Sequence, residues 1–196
     1  METGHYFDSS PAVRSAPRTV TLALPDLTVD LRTDRGVFSA DRVDPGTRLL
    51  LLEAPPPPGA GDLLDLGCGY GPVAVTLARR APAAHVWAID VNRRARSLTA
   101  ANARALGLGN VTVVEPESVP RDLRFAAVYT NPPVRIGKAA LHRLLSDWIP
   151  RGDVTWMVVS KHLGADSLAR WMGEAQGWRV ERVASRVSYR ILEVRP

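Results

Sequence analysis

Residues 65–71 read Asp65-Leu66-Gly67-Cys68-Gly69-Tyr70-Gly71, with Leu63-Leu64 before them and Pro72 after. An apolar run that ends in an acid and three alternate glycines describes a strand turning into a helix. In such a turn the backbone, stripped of side chains, lies directly against a ligand. Pro72 suits the first position of the helix, and Val73, Leu77 and Ala78 supply its inner face.

Working outward, apolar stretches alternate with helical patterns from Asp62 to the C-terminus. Residues 85–90, 111–114, 125–130 and 154–160 read as further strands. Residues 93–106 read as a helix with Leu98, Ala101, Ala105 and Leu106 facing inward, stopped by Gly107. Leu141, Leu144, Leu145 and Trp148 repeat at helical spacing, as do Leu168, Trp171, Met172 and Ala175. Residues 178–184 and 188–194 form a closing antiparallel pair. Strands alternating with helices predict an α/β fold: a Rossmann-like, mostly parallel sheet with helices on both faces. Residues 19–31 alternate apolar and polar around Pro25-Asp26, a β-hairpin pattern, and residues 34–39 follow as a loop. The prolines at 55–58 and Gly-Ala-Gly after them read as a hinge. This divides the chain into an N-terminal extension, 1–58, and a sheet domain, 59–196.

Composition narrows the function classes. The 196 residues suffice for one domain with a full core. No apolar stretch reaches the roughly 20 residues of a membrane span. One cysteine and the absence of a signal-peptide layout fit a cytoplasmic protein. His5, His85, His142 and His162 show no metal-ligand spacing, so no metal is expected. Residues 1–60 carry six Arg against eight acids, and the remainder nineteen Arg or Lys against twelve acids. A basic body suits a polyanion such as RNA, and equally an Arg-rich genomic composition.

The three-glycine turn departs from the Gly-x-Gly-x-x-Gly of dinucleotide sites, and Pro72 removes a helix-start N–H donor that a pyrophosphate would use. S-adenosylmethionine fits better. Gly67, Gly69 and Gly71 give its backbone approach, and Asp65 offers a carboxylate to its cationic side. Asp90, nineteen residues beyond Gly71 with Val91 beside it, is placed for the ribose diol, and Glu117 for the adenine amine. Cys68 inside the turn reads as a small space-filling residue, not a nucleophile.

Asn131-Pro132-Pro133 follows the fourth strand, on the sheet edge that carries the glycine turn. An amine on a heteroaromatic ring or amide is a poor nucleophile because its lone pair is delocalised. The Asn131 side-chain oxygen and the Pro132 carbonyl, accepting its two hydrogens, would favour a tetrahedral nitrogen aimed at the methyl group. The prolines would keep those acceptors fixed.

Three segments then carry a family resemblance: Gly36-Val37-Phe38-Ser39, the run from Leu66 to Pro72, and Asn131-Pro132-Pro133-Val134-Arg135-Ile136-Gly137-Lys138. Together, from about His5 to the C-terminus, the chain resembles the ribosomal RNA small subunit methyltransferase C family of class I methyltransferases, and in particular its short single-domain relatives. The resemblance implies a seven-stranded sheet and S-adenosylmethionine as donor. It also implies a guanosine N2 in 16S ribosomal RNA, or in the small ribosomal subunit, as acceptor. Many relatives place an aromatic after the two prolines to stack on the base, and here Val134 stands there. Phe38 is the candidate replacement platform, with Pro133 and Val134 beside the base and Arg135 and Lys138 on neighbouring phosphate. Two alternatives stay open: methylation of a protein glutamine or small-molecule amine, and a non-catalytic RNA-binding module.

Overall fold

The first element among the described residues is a hairpin, because residues 18–33 have every second side chain apolar. The computed structural model describes residues 13–186 and 188–196. In it β1 (Arg18–Leu24) pairs antiparallel with β2 (Leu27–Thr33), Leu24 facing Leu27 across the Pro25-Asp26 turn. Val20, Leu22, Leu24, Val29 and Leu31 fall on one face and are buried, as a period of two requires. An element that the sequence reading did not anticipate comes next: helix α1 (Pro45–Glu53), capped by Asp44, whose carboxylate accepts from Thr47 N.

The alternating unit is β3 (Gly61–Leu66), α2 (Pro72–Arg80), β4 (Ala84–Ile89), α3 (Arg93–Ala105), β5 (Val111–Val114), β6 (Ala127–Thr130), α4 (Lys138–Trp148), β7 (Thr155–Ser160) and α5 (Ala165–Gln176). β8 (Arg179–Arg186) and β9 (Tyr189–Arg195) close it. The seven strands lie in the order β5-β4-β3-β6-β7-β9-β8. The first five are parallel, β9 runs antiparallel to β7, and β8 antiparallel to β9. This is the expected Rossmann-like, mostly parallel seven-stranded sheet. The strand order reverses between β3 and β6, where Leu66 lies beside Thr130. A crevice therefore opens at the C-terminal ends of these two strands, where open α/β sheets bind ligands.

Two details differ from expectation. β6 begins at Ala127, and Phe125 makes only an isolated bridge to Gly152. The inner face of α3 is formed by Ala95, Thr99, Asn102 and Ala103, while Ala105 is exposed and Leu98 and Leu106 are half-buried. The reason is polar. Thr99 Oγ1 donates to Gly69 O (2.8 Å), and Asn102 Nδ2 donates to Tyr70 O (2.8 Å). The inward face thus serves the glycine turn through Thr99 and Asn102 while Leu98 and Leu106 pack against the core beside them.

Asn102 also joins the hairpin to the sheet domain. Its Oδ1 accepts from Arg32 N (2.8 Å) and its Nδ2 donates to Arg32 O (2.9 Å). At the hairpin tip, Arg80 donates twice to Asp26 (2.8 and 2.8 Å) and once to Leu51 O (2.8 Å). The Arg80 hydrogen bond holds the Asp26 carboxyl below its ordinary value. Beneath these contacts, Leu22, Leu31, Leu50, Leu63, Val75 and Val158 share one buried cluster. At the far edge, the outer strand β8 exposes Arg179, Glu181, Arg182 and Arg186, and its register slips between Arg182 and Ala184. Among the described residues no helix is long and apolar enough to cross a membrane. Nor do three or more His, Cys, Asp or Glu among them gather as a metal ion requires. His5 lies outside the described residues.

Candidate active site

The glycine turn is held by its neighbours. Gly67 N and Cys68 N both donate to Ile89 O at the end of β4 (2.9 and 2.9 Å), and Gly71 N returns to Cys68 O (2.9 Å). Gly67 and Gly69 have positive φ, and a Cβ built on either would meet nothing within 4 Å. Both line a cavity of about 590 Å³ at the crevice, so a side chain there would occupy ligand space. Gly71 has a different duty. Its φ is +98°, and a Cβ would stand 3.0 Å from Thr99 Cγ2, so it lets α2 start against α3. It does not line the cavity.

Asp90 closes β4 at the cavity wall. Its Oδ2 accepts from Gly69 N (2.9 Å) and its Oδ1 from Asn92 N (2.8 Å). Burial raises its pKa, opposed by those two N–H groups and by Arg96. Each oxygen retains a lone pair for a diol. Val91, 45% exposed, lines the cavity beside it. Glu117 is exposed in a 3-10 turn, and Pro116 is the residue of that turn that lines the cavity.

Asp65 is almost fully buried and accepts from Ala74 N (2.9 Å) in the first turn of α2. Burial pushes its pKa up to about 8, the Ala74 N–H opposing and the Asp90 charge adding. It borders a small recess of about 30 Å³ that shares Phe38, Asp44, Gly67, Gly69 and Asn131 with the large cavity. Cys68 is buried beside that recess with its Sγ 3.5 Å from Thr99 Oγ1. Burial, with the Asp90 and Asp65 charges, pushes its thiol far up, which is inert chemistry.

Beside the glycine turn, at the end of the neighbouring strand, stand Asn131, Pro132, Pro133, Val134 and Arg135, all on the cavity wall. Lys138 starts α4, exposed and outside the lining. The Pro132 carbonyl already accepts from Val134 N (2.8 Å), across Pro133 at φ −75°, ψ 70°. That tight turn leaves the carbonyl one lone pair. Asn131 Nδ2 donates to Asp44 Oδ2 (2.9 Å) and to Thr47 Oγ1 (2.9 Å). A carboxylate only accepts, so Asp44 fixes which end of the amide is nitrogen, leaving the Asn131 carbonyl oxygen for a substrate. Phe38, 39% exposed, lines both cavities.

The sequence reading missed Asp44, Thr47 and Tyr189, which borders the same cavity from β9. The Asp44-Pro45 pair was the available signal, an N-cap followed by a first-turn proline.

A model of the methyltransferase small domain matches residues 28–193. The chain belongs to the methyltransferase small domain family. Among curated relatives, the uncharacterized protein YbxB of Bacillus subtilis is 35% identical over 169 residues, covering 83% of this chain and 84% of that one. Ribosomal RNA small subunit methyltransferase C of Pseudomonas aeruginosa is 30% identical over 191 residues, covering 88% of this chain and 56% of that one. The chain thus spans about half the length of the named methyltransferases that it matches. Among solved structures, the 16S rRNA N2 methyltransferase of T. thermophilus, in complex with AdoMet and guanosine, superposes with a TM-score of 0.78 at 24% identity. That match covers 94% of this chain and 52% of the other, and it shows the shared fold.

S-adenosylmethionine is the methyl donor of this family, and the site's residues fit it. The two open glycines leave room for its backbone approach, and Asp65 and Asp90 put carboxylates on the walls of the two cavities, which suits a cationic ligand. The cavity is within the usual range for cofactor sites.

Proposed function

We propose that the chain methylates the exocyclic N2 of a guanosine in small-subunit (16S) ribosomal RNA. The observation that carries this reading is the Asn131 carboxamide, anchored through its nitrogen by Asp44 and Thr47 on the cavity wall beside the glycine turn.

The donor, when bound, supplies an electrophilic methyl on a sulfonium. Gly67 and Gly69 would lie against it, Asp90 would accept from its ribose hydroxyls, and Asp65 would face its ammonium group from the recess. The Asn131 Oδ1 and the free lone pair of Pro132 O would accept the two amine hydrogens. Drawing those hydrogens out of the ring plane localises the nitrogen lone pair for in-line attack. Preorganised acceptors of this kind need no rearrangement as charge develops. Phe38 and Val134 would flank an extruded base, and stacking on an aromatic face contributes ~1–3 kcal/mol per base. Arg135 and Lys138 extend the wall toward phosphate. The names of the curated relatives, and the positive balance of residues 61–196, agree with an RNA acceptor.

Incubation with radiolabelled S-adenosylmethionine and three acceptors tests this: undermethylated small subunits, naked RNA and a peptide release factor. We expect label in ribosomal RNA, recovered as N2-methylguanosine after digestion. Label in the protein acceptor alone would overturn the RNA assignment. Cofactor binding without transfer to any of the three would leave a binding module instead.

A further inference from the structure

We infer that Asp44 reads the ring N–H next to the acceptor amine and thereby sets which base the site accepts. This rests on the reading of the cavity as a nucleobase-amine site, and it names the group that selects within that class.

Asp44 uses one oxygen twice. Its Oδ2 accepts from Thr47 N (2.8 Å), capping α1, and from Asn131 Nδ2 (2.9 Å). Its Oδ1 receives no donor among the described residues, although Asp44 is half-buried and lines the cavity. That oxygen is accessible to solvent, so a ligand donor entering the cavity can take the place of water on it. Asn131 is in the complementary position: its amide nitrogen is saturated by Asp44 and Thr47, so only its oxygen is left. The two residues are in direct contact through the Asn131 Nδ2–Asp44 Oδ2 hydrogen bond, so their remaining oxygens flank that bond, and the Pro132 carbonyl with its remaining lone pair follows Asn131 in the chain. This row of leftover groups contains only acceptors.

Such a row fits guanine, which offers N1–H beside its two N2 hydrogens. Adenine and cytosine carry their amine next to a bare ring nitrogen, whose lone pair would face the Asp44 carboxylate. A glutamine amide would bring its own carbonyl oxygen to the same place. Each mismatch sets acceptor against acceptor, a repulsive element that discriminates more sharply than a lost contact. Asp44 thus has two duties, holding Asn131 through one oxygen and reading the base through the other.

The substitution Asp44→Asn separates them. Asparagine caps a helix as well as aspartate does, and its oxygen can still accept from Thr47 N and Asn131 Nδ2. Its NH2 group then stands where Oδ1 stood, turning an acceptor into a donor. The probes are free guanosine and 2,6-diaminopurine riboside, which keeps the 2-amine but has a bare N1. Their affinities are measured by NMR titration of protein saturated with S-adenosylhomocysteine. We expect the native protein to prefer guanosine at least tenfold, and the variant to lose or invert that preference. Its affinity for S-adenosylhomocysteine should stay within about threefold. Thr47→Val, which releases one anchor of Asn131 but leaves the carboxylate, should lower turnover yet keep the guanosine preference. An unchanged preference in the Asp44→Asn protein, or equal affinities in the native one, would overturn the inference while leaving the base site standing. If neither nucleoside binds the native protein at millimolar concentration, the base-site reading fails and this inference fails with it.

Discussion

In the proposed mechanism Asn131 divides binding from chemistry, because its nitrogen is held by Asp44 and Thr47 and only its oxygen is left for the acceptor. Asn131→Ala should therefore lower turnover by ~10²-fold or more and change cofactor affinity only a few fold. Isothermal titration beside steady-state kinetics checks this, and equal loss of both would make Asn131 structural. Asp65 makes a separate prediction about pH. Its folded pKa, about 8, lies above the usual carboxylate value, so folding takes up a proton between the two. Its contribution to stability is complete below about pH 4, declines as pH rises, and is gone above about pH 8. Asp65→Asn removes that slope. The variant without cofactor should gain on the native protein by up to about 4 kcal/mol between about pH 5 and pH 8. Urea melts that stay parallel across that range would refute it. Asn131 and Asp90 were legible from the sequence because each ends an apolar strand at a recognisable spacing. Asp44 was not, since Asp-Pro-Gly reads as a turn until the helix behind it is seen.

At the scale of elements, the sheet strands could be read because buried parallel strands are short apolar runs with clear punctuation. Helix α1 escaped because Leu49-Leu50-Leu51-Leu52 is apolar in every direction and has no period to find. The inner face of α3 was legible only in part. Leu98 and Leu106 do pack against the core, but the buried Thr99 and Asn102 between them are polar and invisible to a hydrophobic pattern, and Ala105 is exposed. Asn102 serves Arg32 N, Arg32 O and Tyr70 O at once. Asn102→Ala should cost about 2–4 kcal/mol, since buried backbone groups are left unpaired. Amide exchange at Arg32 should accelerate as well; protection there equal to the native protein would mean that the hairpin is held by packing alone.

For the whole molecule, the proposed function requires a basic exterior for RNA together with carboxylates around the cofactor. Residues 61–196 carry the positive balance, yet Asp65 and Asp90 within them face the inner cavities. RNA affinity should accordingly fall steeply with salt. Replacing Arg135 or Lys138 with Ala should weaken binding across sequences and flatten the log–log salt slope by about 0.7 per contact in single-stranded RNA. Filter binding from low to moderate salt measures it, and an unchanged slope would place both residues off the RNA path. The charge asymmetry was countable from the sequence. Which basic side chains stand near the crevice was not, because that depends on where β6 and α4 deliver them.

The outer strand β8 carries a further consequence. An open sheet margin invites a second copy to add its own strand, the first step toward fibrils. Arg179, Glu181, Arg182 and Arg186, with the register slip between Arg182 and Ala184, charge and bend that margin. Copies held in a cell at high concentration would thus meet charged, misaligned borders, and resistance to self-templating would reside in the last strand of the sheet order.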